Sequence, residues 1–212
     1  ITASGNISGV TTLTLADVGG TATLSGDVDV TTLGVNNTVA NLVFSGNGSS
    51  VANAVEFIND GTLTLGTSGG TQTFGGGLTT TSVGSTVTLN GTIATSNDAV
   101  VLGAVTLASA TTIDTNASSN AGDITIAAIT GGSNNLTLST GDNVANTDIT
   151  AAGAISGLGN LTLADVGGTA TFSANVAAAA LSAANTVANI IFTGSSNTFS
   201  AASTLVNDGT LT

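Results

Sequence analysis

The sequence predicts an all-β fold, a right-handed parallel β-helix (β-solenoid), and three observations carry that prediction. The chain repeats itself after 148 residues, its apolar and polar residues alternate in short segments, and clusters of Gly, Asn, Asp and Ser separate those segments. Strict alternation places one side of a segment in a core, as in a strand, and the intervening residue types favour turns. Many short strands joined by tight turns in a repetitive chain are typical of stacked coils.

The long repeat has no gaps. Ile1 aligns with Ile149, and the alignment continues to Thr212 with slightly over half of the 64 paired positions identical. Residues 1–148 are therefore interpreted as one complete unit and residues 149–212 as the start of a second. We expect the chain to be a piece of a longer repetitive protein.

The alternating segments are the predicted strands, since their Thr, Val and Leu residues suit a pleated, half-buried surface. The Ala-rich stretch 177–184 is the one candidate helix, but its counterpart 29–36 has a strand-and-turn pattern, so a strand is predicted there as well. The clearest segments are 12–15, 42–44, 62–65, 71–74, 86–89, 105–107, 124–126, 136–138 and 161–163.

A β-solenoid explains the composition better than tandem β-sandwiches, which the strand spacing also allows. Its coils of roughly 18–24 residues would each rise about 4.8 Å, so one unit would make about seven coils and be roughly 35 Å long. A narrow interior fits six Phe with no Trp or Tyr, and tight turns fit 29 Gly. The right-handed crossover rule predicts the hand.

Composition excludes several partners. The chain has no Lys, Arg or His and a net charge of −12. Binding to nucleic acid or to an anionic membrane needs basic residues, so neither is expected. Polar residues and Gly interrupt every apolar run within a few positions. No run approaches the length of a membrane-spanning helix, so no membrane-inserted segment is predicted.

Catalysis is not expected either. Without His, Cys, Lys, Arg or Tyr, the usual general bases and thiolate nucleophiles are missing. The carboxylates of Asp27 and Asp29 could form a glycosidase-like pair, but their counterparts are Asn175 and Ala177, which favours solvated carboxylates. No catalytic, cofactor-binding or metal-binding residue is predicted.

Two aspartates persist from one unit to the next, Asp17 as Asp165 and Asp60 as Asp208. We interpret them as turn residues that accept backbone N–H bonds before a Gly with positive φ. A calcium site is the alternative, although no calcium-binding nonapeptide or EF-hand pattern is present. Weak calcium screening of the negative charge is expected at most.

Thr-x-Thr motifs recur in the chain, as they do on the flat faces of insect ice-binding solenoids. The spacings of the first Thr residues within the first unit are 9, 41, 9, 8 and 7. Because these spacings do not match one coil, a flat array on a single face is not expected.

Three segments resemble the passenger regions of large bacterial surface proteins: NLTLADVGGTATFSANV (160–176), VANLVFSGNGSSV (39–51) and AVEFINDGTLTLG (54–66). They are similar to filamentous-haemagglutinin-like adhesins and rickettsial outer-membrane surface antigens. The resemblance implies a right-handed β-helix at the bacterial cell surface that acts in adhesion or as a coat.

The expected function is a non-enzymatic structural segment of an extracellular bacterial surface fibre or adhesin. Its partners would be the continuing chain, other copies of itself, or a host or neighbouring cell surface. A self-assembling subunit of a filament, sheath or surface layer is the alternative. A polysaccharide-binding or ice-binding module is a third, disfavoured by the lack of Trp and Tyr for sugar stacking.

Overall fold

The computed structural model describes residues 1–115, 122–141 and 146–212, which form strands joined by turns. These residues contain no helix, and so none that could cross a membrane. The strands are β1 (Thr2–Ala3), β2 (Ile7–Leu15), β3 (Thr21–Leu24), β4 (Val28–Val35), β5 (Asn41–Phe44), β6 (Ser50–Val51), β7 (Val55–Glu56), β8 (Leu63–Leu65), β9 (Thr71–Phe74), β10 (Leu78–Thr79), β11 (Val87–Thr95), β12 (Val100–Asp114), β13 (Ile124–Thr130), β14 (Leu136–Ser139), β15 (Ile149–Ala151), β16 (Ile155–Leu163), β17 (Val166–Phe172), β18 (Val176–Ala183), β19 (Val187–Phe192), β20 (Thr198–Phe199) and β21 (Thr204–Leu205).

Every strand pairs in parallel with a strand one coil away, so the chain forms a β-solenoid of about nine turns. This confirms the solenoid over tandem sandwiches. Every segment predicted as a strand overlaps one, with Thr62 and Thr86 lying one residue before strands β8 and β11. The Ala-rich stretch is strand β18, as its counterpart indicated. The hand of the coil stays a prediction.

The length of one coil varies along the stack. The side chain of Asn6 accepts a bond from the backbone of the next coil, 21 residues further along the chain. The side chain of Asn135 does the same across a separation of 25 residues. The longest coils therefore slightly exceed the range predicted for them. The extra residues lie in turns and at register shifts within paired strands, such as the shift between Leu89 and Gly91 in strand β11.

Each coil crosses three faces, named A, B and C in chain order. Some faces are separated by turns, whereas long strands such as β12 continue from one face to the next. Face A holds residues 2–3, 21–24, 41–44, 63–65, 87–89, 105–107, 128–130, 155–156, 176–178 and 198–199. Face B holds residues 7–10, 28–30, 50–51, 71–74, 92–95, 111–114, 136–139, 161–163, 181–183 and 204–205. Face C holds residues 13–15, 33–35, 55–57, 78–79, 100–102, 124–126, 149–151, 170–172 and 190–192.

One continuous apolar core runs along the axis of the stack. Leu42, Leu63 and Leu65 are fully buried, and Phe57 packs edge-on against Phe74 with ring centroids 5.9 Å apart. Full burial of one such side chain stabilises a fold by about 1.5–3 kcal/mol. The core continues across the boundary between the sequence units, where Ile149 is also fully buried. The two units therefore share one hydrophobic core.

Candidate functional site

Within each unit, the residues that are identical in both units are concentrated at one edge of the stack. Most of them fall in the three segments 13–23, 37–41 and 59–64. These segments lie on three successive coils, where the Ala40 N–H donates to the Val18 carbonyl at 2.8 Å and the Asp60 N–H donates to the Val39 carbonyl at 2.9 Å. We call these segments, together with their counterparts 161–171, 185–189 and 207–212, the repeated corner.

In the second unit, the repeated corner contains a shallow cavity of about 230 Å³, here called the corner groove. It spans three coils and has polar and small residues on its walls. All six lining residues are identical to their counterparts in the first unit. The groove is lined by Val166, Gly167, Asn185, Thr186, Ala188 and Asp208, which correspond to Val18, Gly19, Asn37, Thr38, Ala40 and Asp60.

The fold itself explains part of this identity. The Asn41 side-chain oxygen accepts bonds from the backbone N–H and the hydroxyl of Thr62, both at 2.9 Å. A Cβ at Gly61 would collide with the carbonyl oxygen of Ala40 in the preceding coil. These residues are required to join one turn to the next, whatever else the corner does.

The fold does not explain three other identities. Gly19 has open space where a Cβ would stand, and its φ is not in the left-handed region. Asn37 and Asp60 are exposed, and no described hydrogen bond involves either side chain. All three correspond to residues that line the corner groove. These three residues are therefore the candidates for contact with a partner.

The predicted role of the repeated aspartates is wrong in detail. Asp17 itself adopts positive φ, at 55°, and its N–H donates to the Thr38 hydroxyl at 2.8 Å. Neither Gly19 nor Gly61 has positive φ. Asp60 likewise contributes its N–H to the turn, as Asp208 does at 3.0 Å. Both residues are turn residues, but it is their backbone that forms the turn.

Of the pair Asp27 and Asp29, Asp27 makes a turn contact that does not depend on its charge. The Asp27 carboxylate accepts the Gly48 N–H at 2.8 Å, and the amide oxygen of its counterpart Asn175 accepts the Ser196 N–H at 2.9 Å. An amide thus performs the same task as the carboxylate. Among the residues that the structure describes, no group of three acidic, His or Cys side chains is placed to hold a metal.

These contacts belong to a wider set that the sequence reasoning missed. Asn and Asp side chains at the turns accept a backbone N–H from the adjacent coil, as Asp148 does from Thr169 at 2.7 Å and Asn135 does from Asn160 at 2.8 Å. The abundance of Asn and Asp at turns was the available signal. Their partners were hidden because they lie a whole coil away in sequence.

Threonines stack once per coil, although the Thr-x-Thr motifs are unevenly spaced in the sequence. On face B, one outward column of threonines continues without interruption over five coils. On face A, a second column continues over four consecutive coils. Neighbouring columns are mixed, since Thr73, Ala94 and Asp114 succeed one another beside the face B column. The faces therefore carry single threonine columns. The columns are Thr71, Thr92, Thr112, Thr137 and Thr162 on face B, and Thr64, Thr88, Thr106 and Thr130 on face A.

In comparisons with protein-family models, curated proteins and solved structures, the chain matches none. Fold and candidate site therefore rest on the strand pairing and contacts of this chain.

Proposed function

We propose that this chain is a non-enzymatic structural segment of an extracellular bacterial surface fibre or adhesin of the filamentous-haemagglutinin-like or rickettsial surface-antigen type. The observation that carries the proposal is the single core shared by all the coils of the stack. With a rise of about 4.8 Å per coil, nine turns form a rod about 43 Å long. A rod of this kind would fix the distance between the cell surface and the structure at the outer end of the rod.

The composition supports a location outside the cell. The chain has no Lys or Arg, and therefore no site at which a trypsin-like protease could cleave it. It also has no Cys, so its stability does not depend on redox conditions. Several of the described turns are joined to the adjacent coil by side-chain hydrogen bonds, which hinders other proteases from cleaving there.

Immunogold microscopy of intact cells of the source organism tests this function. Antibodies raised against the purified chain should label the outside of unpermeabilised cells, at fibres or at the envelope. Labelling that appears only after permeabilisation would overturn the proposal. Adhesion of beads coated with the chain would then distinguish an adhesive segment from a purely structural one.

A second candidate is a self-assembling subunit of a filament, sheath or surface layer. Large apolar side chains are exposed on the two outermost coils of the stack, among them Val10 at 45% and Val206 at 56%. A second copy stacked on either end would cover them and pair the strand edges there, as the continuing chain of a longer protein also would. Sedimentation of the purified chain at increasing concentration should show growing rods if this function applies, and a constant monomer if it does not.

A further inference from the structure

The two copies of the repeated corner do not lie on the same edge of the rod. In the first unit, segment 13–15 lies on face C, where Leu13 pairs with Leu33, and the chain then turns onto face A. In the second unit, its counterpart 161–163 lies on face B, where Leu161 pairs with Leu136. The chain then turns onto face C, so the second copy lies one corner away from the first.

The displacement follows from the number of turns in one unit. Six steps along face C lead from Leu13 to Ile149, the counterpart of Ile1. Ile1 itself precedes Leu13 by two faces, or two-thirds of a turn. One sequence unit therefore makes six and two-thirds turns. The sequence predicted about seven coils, which is a third of a turn too many. The steps pass through Leu33, Val55, Leu78, Val100 and Ile124.

The second unit is rotated but keeps most of the strand pairing of the first. Thr2 pairs with Thr23 in the first unit, and Thr150 pairs with Thr171 in the second. The register shift between Ile7 and Val10 in strand β2 recurs at the same place in strand β16. The pairing of the strands is thus reproduced and presented in another direction, whereas the turn between them differs: strand β17 begins at Val166 but β3 only at Thr21, and Asp17 has positive φ but Asp165 does not.

We propose that the corner groove of the second unit is a docking site for a positively charged group of a partner protein, and that the same six residue types are presented to such a partner on a different corner of the rod in the first unit. The groove offers the Asp208 carboxylate and the Asn185 amide, and the chain has a net charge of −12 with no basic side chain. Such a surface attracts cations over distance and accepts their hydrogen bonds. The setting of this inference, a surface rod, rests on the proposed function.

The rotation restricts the shape of the partner. Three units would make twenty turns, or roughly 96 Å at about 4.8 Å per coil, before the groove returned to the same corner. A flat surface touches one corner and so would meet one unit in three. Separate compact partners can occupy every unit, each from its own side.

Cysteine pairs test the rotation directly, because the chain has no Cys of its own. Thr130 and Ser156 pair on face A, and both are exposed. If one unit made seven whole turns, Thr150 would instead lie beside Thr130 on face A. Residues stacked on adjacent coils lie about 4.8 Å apart, within the range that a disulfide spans.

Mild oxidation of the monomer should form a disulfide between the two cysteines of Thr130→Cys/Ser156→Cys. The same treatment should leave both thiols free in Thr130→Cys/Thr150→Cys. Thr125→Cys/Thr150→Cys, stacked on face C, is the positive control. The opposite result for the first two variants would overturn the rotation. If a variant unfolds, dipolar broadening between nitroxide labels at the same positions gives the same comparison.

A tetralysine peptide, followed by amide chemical shifts of the whole chain, tests the docking site. Shifts should concentrate at Gly19 and Gly167, with Asp60→Asn abolishing the first set alone and Asp208→Asn the second set alone. Asp29→Asn changes the charge equally and should leave both sets. Shifts spread evenly over all exposed aspartates would overturn the docking site while leaving surface location, tested by immunogold, unaffected.

Discussion

Asn41 accepts two hydrogen bonds from Thr62, which lies 21 residues further along the chain, one from the backbone N–H and one from the hydroxyl. Asn189 and Thr210 repeat the pair at 3.1 and 2.9 Å. At Thr62 the backbone ladder between the two coils is interrupted, so this N–H would otherwise be left to solvent. A side-chain amide closes that gap and joins the two coils.

Replacing Asn41 by Ala should destabilise the chain by about 1–2 kcal/mol, because it removes both bonds and leaves a turn N–H without its partner. Asn41→Asp keeps an acceptor and should cost less. The shift of the urea midpoint, followed by circular dichroism, measures the change. Asn37→Ala is the matched control in the same corner and should stay within about 0.5 kcal/mol of the original. Equal effects of the two alanine variants would show that the Asn41 bonds contribute nothing.

Two glycines of the repeated corner should respond in opposite ways to an added methyl group. Gly61→Ala forces its Cβ against the Ala40 carbonyl of the preceding coil, whereas Gly19→Ala meets nothing within 4 Å. Overpacking of this kind costs about 1–3 kcal/mol. Thermal unfolding should therefore show a lower midpoint for Gly61→Ala and an unchanged or higher one for Gly19→Ala. A stable Gly61→Ala variant would mean that adjacent turns are spaced more widely.

The strands could be predicted from the sequence because alternation is a local signal. Leu63, Thr64 and Leu65 alternate within one strand, and the backbone alone then fixes which of them face inward. The links between coils could not be predicted, since the partner of Asn41 is set by the coil length, and the coil length varies. The rotation of the second unit could not be predicted either, because it depends on the same coil lengths. An average coil length gives about seven turns but cannot resolve a third of one.

Phe57 lies fully buried in the middle of the core, and its truncation should be costly. Phe57→Ala removes the edge-on contact with Phe74 and leaves a cavity, with an expected loss of about 3–5 kcal/mol. Calorimetry of the purified chain measures it. The neighbouring Glu56 is exposed and makes one bond to the Ser82 hydroxyl at 2.9 Å, so Glu56→Ala serves as the control with a small effect. Similar losses at both positions would contradict the assignment of inward and outward sides.

Calcium should stabilise the chain only as a general counterion. The net charge of −12 has no basic side chain to offset it, so the compact state carries more self-repulsion than the unfolded chain. Added salt shortens the screening length to about 10 Å at 0.1 M and should raise the unfolding temperature. Because the described residues contain no acidic cluster placed to bind a metal, calcium and magnesium chloride at equal ionic strength should give similar shifts. A saturable rise specific to calcium, lost in Asp60→Asn or Asp208→Asn but kept in Asp29→Asn, would instead establish a calcium site in the repeated corner.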